Sequence, residues 1–235
     1  MNGGLPRGAS DGKGGAMTLS ELLTEYGDIY LQGLLTTWSL TAVSFVLVMI
    51  LSVLITVMRV SPFKPLRFVG DLYVQIFRNI PGVALLVIVV YALPYLGLTL
   101  GYRTCVIVTT VLLGSAFGSE NFMTGINTVG VGQVEAARSL GLSFGKILSK
   151  VVIPQALRSA VLPMTNLCIA VMLTTALGSQ VPLSPLELTG VVSYVNTRDT
   201  GGILAFLVSA LGYAATAFVI GFVGNRIDKK VRVLR

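Results

Sequence analysis

The sequence predicts an all-α membrane protein with five transmembrane helices, and three observations carry that prediction. Of the 235 residues, 54% are hydrophobic and only 11% are charged, with a mean hydropathy of +0.83. A soluble domain carries roughly 25% charged residues, and a water-facing surface cannot be built from so few ions. Four uncharged runs, at 34–58, 79–102, 159–186 and 200–225, are 24 to 28 residues long. Each exceeds the roughly 20 apolar residues that a helix needs to cross a bilayer. A fifth run, 104–119, is shorter but continues through Glu120 to about Met123. Lys and Arg, finally, alternate between dense and sparse segments as the chain crosses back and forth.

The same composition excludes several classes of function. With no histidine and two cysteines, the common zinc sites and a disulfide framework are absent. So are the usual general base and every His-containing triad. No catalytic residues, metal ligands or cofactor are expected. Gly8 to Lys13 and Gly141 to Lys146 both read GxxxGK. Each is one residue short of a phosphate loop and lacks the following Ser or Thr, so neither predicts nucleotide hydrolysis.

Along the chain, residues 1–16 are Gly-rich and polar and read as a disordered leader, with Met17 a candidate initiator. Residues 17–32 form a short amphipathic segment opened by the capping pattern Thr18-Leu-Ser-Glu21. The membrane domain occupies 33–225, beginning with the first span. Its apolar run is far longer than the 7–15 residues of a signal core, so it belongs to the mature chain. Arg59, Lys64, Arg67 and Arg78 follow it. The second span ends near Arg103. The third contains Gly114-Ser-Ala-Phe-Gly118, a GxxxG match that serves packing either inside one subunit or between two. Arg138, Lys146, Lys150 and Arg158 separate spans three and four, and the basic tail, 226–235, carries five more cations. That places thirteen cations on one side and four on the other. The N-terminus is therefore expected outside and the C-terminus in the cytoplasm. The net charge of +7 follows from this asymmetry and calls for no nucleic acid; the tail is suited to anionic lipid headgroups.

The segment 130–158 is too ordered in composition for a plain loop. Glu135 to Leu140 is strongly helix-forming, Gly141 is placed to end that helix, and a second helix from about Phe144 to Val152 is expected to stop at Pro154. A helix of one or two turns is unstable alone in water. It must dock, either on its own membrane domain or in a groove of a cytoplasmic partner.

At these residues the chain resembles a known family. Glu135-Ala136-Ala137, Gly141 and, after nine intervening residues, Val151-Val152-Ile153-Pro154 are similar to the EAA loop of binding-protein-dependent ABC importer permeases. Gly132-Gln133, Phe77-Arg78-Asn79-Ile80-Pro81, Ile153 to Arg158 and Glu187-Leu188-Thr189-Gly190 resemble the polar amino acid branch, of the glutamate, glutamine and histidine type. The resemblance implies a type I ABC importer permease fold in a bacterial inner membrane. It also implies a second permease subunit, identical or similar, a pair of ABC ATPase subunits, and an extracytoplasmic substrate-binding protein. ATP hydrolysis would reside in the ATPase partner, so the chain is expected not to be an enzyme. The coupling residues it implies are Glu135, Ala136, Ala137, Gly141, Ile153 and Pro154.

Candidates for the substrate pathway are Glu120, the sole carboxylate deep in an apolar run, and Asn166, Thr174 and Thr175 in the fourth span. Asn166 and Thr174 are eight residues apart and share a helix face. Glu120 has two readings: a wall of the pathway, or a partner of Arg78 or a loop cation near the cytoplasmic end of its span. Leu173 and Met123 stand where the family usually carries Lys and often Arg, so the fourth span offers no cation. The competing class is a stand-alone secondary transporter or a channel. It is disfavoured by the scarcity of intramembrane acids and by five spans that do not divide into repeats.

Overall fold

A computed structural model describes residues 17–198 and 202–231. The leader and the last four residues of the basic tail lie outside the described residues. All regular structure described is helical.

Helix α1, Leu19–Val60, is a single rod of 42 residues. Thr18 caps it: its hydroxyl accepts from Glu21 N, and Glu21 bonds back to the Thr18 amide. The capping pattern therefore starts a helix as expected, but the amphipathic segment is not a separate short element. It runs straight into the first span because no Pro or Gly turn interrupts it. Ser61-Pro62 ends α1.

Helix α2, Lys64–Asn79, then folds back against α1 and the third span. Ile80 is extended (ψ 131°), as a residue before proline prefers. From Pro81 the chain restarts as α3, Gly82–Val87, continued by a π turn and a 3-10 turn to Leu96. The α2 axis and this second stretch meet at 104°. The expected straight span over 79–102 is thus a shorter helix, Gly82–Leu96, sharply bent from a helix that precedes it. Among the described residues, four helices are long and apolar enough to cross a membrane, and the bent pair makes a fifth if counted as one span.

Helix α4, Tyr102–Asn127, is central and packs most extensively on α1. A Cβ on Gly114 would stand 2.7 Å from Val48 Cγ2, and one on Gly118 would collide with Ser52. The GxxxG pattern therefore serves packing inside the chain, where backbone approaches neighbouring side chains. Helices α5 (Val131–Ser139), α6 (Phe144–Ile147) and α7 (Ile153–Ser159) form the unit after α4. Helix α8, Val161–Thr174, is extended by a 3-10 turn to Gln180. The short α9, Leu188–Asn196, and the long α10, Gly202–Val231, complete the fold. One apolar cluster joins Leu40, Leu86, Val89 and Val106; a second, around Leu22, Tyr26, Val191 and Ala205, ties α1 to α9 and α10.

Candidate functional site

The unit α5–α7 has its own small core of Val129, Ala137, Ile147 and Val152. Helix α5 ends on Gly141 at φ +75°, where an L side chain is strained. Gly141 N donates to Arg138 O (2.9 Å) and Leu142 N to Ala137 O (3.2 Å), the paired bonds of a Schellman motif. Ala137 faces the core, while Glu135 and Ala136 are exposed. Helix formation does not stop at Pro154. A π turn, Leu148–Val152, widens the ladder just ahead of it, so the ring enters the first turn of α7 without meeting the carbonyl that an α-helix would place there. Ile153 and Pro154 are therefore helical residues.

This unit is fixed to the membrane helices by tight contacts. A Cβ on Gly125 of α4 would stand 2.6 Å from the carbonyl oxygen of Ala156 in α7. Gln155 Nε2 donates to Gln133 Oε1 (2.6 Å), joining α7 to α5. Val131 and Leu140, at the two ends of α5, are 71% and 81% exposed.

Deeper in the molecule, α1, α2 and α4 meet in an ionic network. Arg59 Nε contacts Asp71 Oδ1 and Arg59 Nη2 contacts Glu120 Oε1, both at 2.8 Å. Arg59 Nη1 also donates to Ser119 Oγ at 3.2 Å. Arg78 Nη1 stands 3.7 Å from the same Glu120 oxygen. Glu120 therefore has the cation partners that a desolvated carboxylate requires.

Beside this network lies a cleft of about 1020 Å³ whose lining includes Arg78, Thr110, Asn121, Asn166, Thr174 and Gln180. Asn166 and Thr174 share it, as their spacing predicts. Thr174 Oγ1 donates to Ala170 O at 2.8 Å. Thr175 does not reach the cleft; it is fully buried, with its hydroxyl donating to Met172 O. Glu120 is not part of the lining either, whereas its neighbour Asn121 is.

The family model for the inner membrane component of binding-protein-dependent transport systems matches residues 49–233. The chain belongs to this family. Among its relatives, the glutamate transport system permease protein of Corynebacterium efficiens is 32% identical over 227 residues, covering 92% of this chain and 99% of the relative. The arginine transport system permease protein of Bacillus subtilis is 27% identical over 203 residues, covering 86% and 92%. The L-cystine transport system permease protein of the same organism is 30% identical over 200 residues, covering 85% of each chain. These are relatives of the polar amino acid branch that the sequence motifs resemble. Among solved structures, an amino acid ABC transporter with histidines superposes with a TM-score of 0.82 at 24% identity, covering 91% of this chain and all of that one. A methionine ABC transporter in an inward-facing conformation gives 0.74 at 22%, covering 92% and 100%. The fold is that of a type I ABC importer permease, in a multi-pass protein of the inner membrane.

Within that binding-protein-dependent permease, sequence reasoning placed Arg78 in a cytoplasmic loop and missed it as a cleft residue. The signal available was the helix-forming run 64–79, whose apolar residues recur at helical spacing. Gly125 was missed as well, and nothing short of the α4–α7 contact identifies it.

Proposed function

We propose that this chain is the membrane-embedded permease subunit of an ATP-driven importer for polar amino acids, with glutamate- or glutamine-type substrates favoured. It pairs with a second permease subunit, identical or similar, and the cleft along α4 and α8 forms half of the substrate path. Asn166 and Thr174 supply neutral donors and acceptors there. The α5–α7 unit, within residues 130–158, docks in a groove of a separate ATPase subunit, and an extracytoplasmic binding protein delivers the substrate. Ile153 and Pro154 hold α7 in line while Gly141 turns the chain. Glu135 and Ala136 face the partner, Ala137 secures α5 from inside, and the N-terminus lies outside with the basic tail in the cytoplasm. ATP hydrolysis belongs to the ATPase.

One observation carries this reading: a short exposed helix, α5, with Val131 and Leu140 bare at its two ends, in a unit whose α7 packs tightly on α4. A helix this short gains stability by docking, and apolar side chains at its ends suit a groove on a partner. The extended match to glutamate permeases supports the substrate class. The test is reconstitution of the chain with candidate ATPase and binding protein, followed by an uptake screen of amino acids. ATP-dependent uptake of glutamate or glutamine is expected. Transport that selects arginine or lysine, without competition from either, refutes the substrate class, and uptake indifferent to the ATPase refutes the mechanism.

A further inference from the structure

The cations that follow α1 fall into two groups. Arg59 and Arg78 are paired with Asp71 and Glu120. Lys64 and Arg67, at the start of α2, are exposed, and among the described residues neither has an acidic partner. Helix α2 is also thinly covered: of its 16 residues only Gly70 and Val74 are buried. That face is seated on α1, where a Cβ on Gly70 would stand 2.8 Å from Arg59 Cγ and 3.3 Å from Met58 Cβ. At about 100° per residue, Val69, Leu72 and Ile76 share a second face, and all three are exposed. Lys64, Arg67 and Gln75 share a third, on the other flank. Phe68, 66% exposed, stands between the two. The faces are also ordered along the axis. Gly70 meets the last turn of α1, so the bare cations ahead of it lie at that end of the span. The apolar residues step from there toward the far end of α2, where Arg78 meets Glu120 about two turns inside the end of α4.

We propose that the start of α2 is a binding site for anionic phospholipid, with Lys64 and Arg67 on the headgroup phosphates and Phe68, Val69, Leu72 and Ile76 among the acyl chains. The site is separate from the cleft and holds whichever amino acid the permease carries. Unpaired cations are not stable in hydrocarbon, so these two mark the polar boundary of the bilayer. The exposed apolar face that follows them lies below it. An amphipathic helix with basic and aromatic residues at that boundary gains both apolar burial and attraction to negative headgroups. A second protein chain laid over the same face would cover the apolar residues and still have to bring carboxylates for Lys64 and Arg67. An anionic lipid supplies both chemistries in the order that α2 presents them.

The test is fluorescence quenching in proteoliposomes. Trp38 is the sole tryptophan, so Trp38→Phe with Phe68→Trp places one reporter beside Lys64 and Arg67. The protein is reconstituted in phosphatidylcholine mixed with phosphatidylglycerol, with bromine on the acyl chains of one lipid or the other. Brominated phosphatidylglycerol is expected to quench the reporter as though enriched about fivefold or more over phosphatidylcholine, the factor that one basic side chain supplies near an anionic surface. In Lys64→Gln with Arg67→Gln the enrichment is expected to vanish, and in Lys64→Arg with Arg67→Lys to persist. Equal quenching by the two lipids in the parent protein overturns the proposal, because it shows lipid contact without headgroup selection. No quenching by either overturns it too, since protein then covers the face. Enrichment that survives the double Gln variant also overturns it, by assigning the selection to other cations such as those of the basic tail. If the double variant does not reconstitute, Lys64→Gln and Arg67→Gln taken singly decide, each expected to lower the enrichment. None of these outcomes touches the import function, which is read by uptake.

Discussion

Arg59 is the cation on which two carboxylates and a hydroxyl converge, so replacing it by methionine removes the centre of the network while preserving bulk. Breaking a buried ion pair costs about 3–5 kcal/mol, because a charge is stranded; an exposed pair is worth about 0.2–1 kcal/mol. The Arg59 side chain is 12% exposed, Glu120 33% and Asp71 49%. Asp71 will be rescued by water, and Glu120 retains Arg78 at 3.7 Å. The cost of Arg59→Met therefore falls between the limits, at about 2 kcal/mol. In a chain of this size, each kcal/mol moves the midpoint by about 2–4 °C, so thermal unfolding of the detergent-purified protein should shift down by about 4–8 °C. A double-mutant cycle with Glu120→Gln isolates the pair and should return a coupling near 1 kcal/mol, within the range for residues in one network. A coupling indistinguishable from zero, or a midpoint within a degree of wild type, would refute the claim that this network joins α1, α2 and α4.

Gly141→Pro and Glu135→Lys should leave the protein inserted and assembled but abolish substrate-stimulated ATPase activity in the reconstituted complex; unchanged stimulation in both would remove the coupling role of the α5 end. Gly125→Val should do likewise, since its Cβ would press on the Ala156 backbone carbonyl at 2.6 Å, whereas Gly27→Ala, with nothing within 4 Å, should be silent in the same assay. Glu187, in the turn ahead of α9 and outside the spans, is fully buried, and burial raises its carboxyl above the ordinary 4.5 despite bonds from Thr189 N, Gly190 N and Tyr213 OH. A raised folded-state value favours the neutral acid, so its contribution is complete below 4.5 and is lost as pH rises through the folded-state value. Thermal midpoints should accordingly fall as pH climbs through that window, and Glu187→Gln should flatten the slope; an identical slope in the variant would argue against it.

Local signals were legible in the sequence and tertiary ones were not. The Thr18–Glu21 cap, the Gly141 terminus and the shared face of Asn166 and Thr174 depend on spacing within a single helix, and spacing is printed in the chain. The number of apolar runs was equally plain. The bend at Ile80-Pro81 is hidden from hydropathy because the uncharged run after Arg78 is by itself long enough for a whole span. The break at Gly97 and the helix before the bend both reassign residues that hydropathy alone lumps together. By sequence rules Pro154 is a stop, because proline excludes a regular α-turn; the π turn ahead of it is an alternative that no propensity scale registers. Thr175 illustrates the limit of facial arguments. It is adjacent to Thr174, yet the 3-10 turn beginning there points it into the protein.

Helix α4 is the physical link between the α5–α7 unit and the cleft. Gly125 near its end touches α7, Glu120 a turn earlier holds Arg59 and Arg78, and Phe117 and Thr110 line the cleft. From Gly125 to Thr110 is fifteen residues, about 22 Å of one helix. Regular i to i−4 bonding makes that length stiff, so a displacement at Ala156 is not absorbed locally. It must appear either as a tilt of α4 against α1 or as a shift of α8, which follows α7 directly. The α1–α4 contact is the most extensive among the described residues, with Val48 and Ser52 seated against glycines, and such packed interfaces resist sliding. Arg78 is different: it reaches α4 through one long ionic contact and an aromatic face, both of which tolerate movement. Motion entering from the α5–α7 unit is thus expected to change the cleft at its Arg78 wall before it changes the α1–α4 seam.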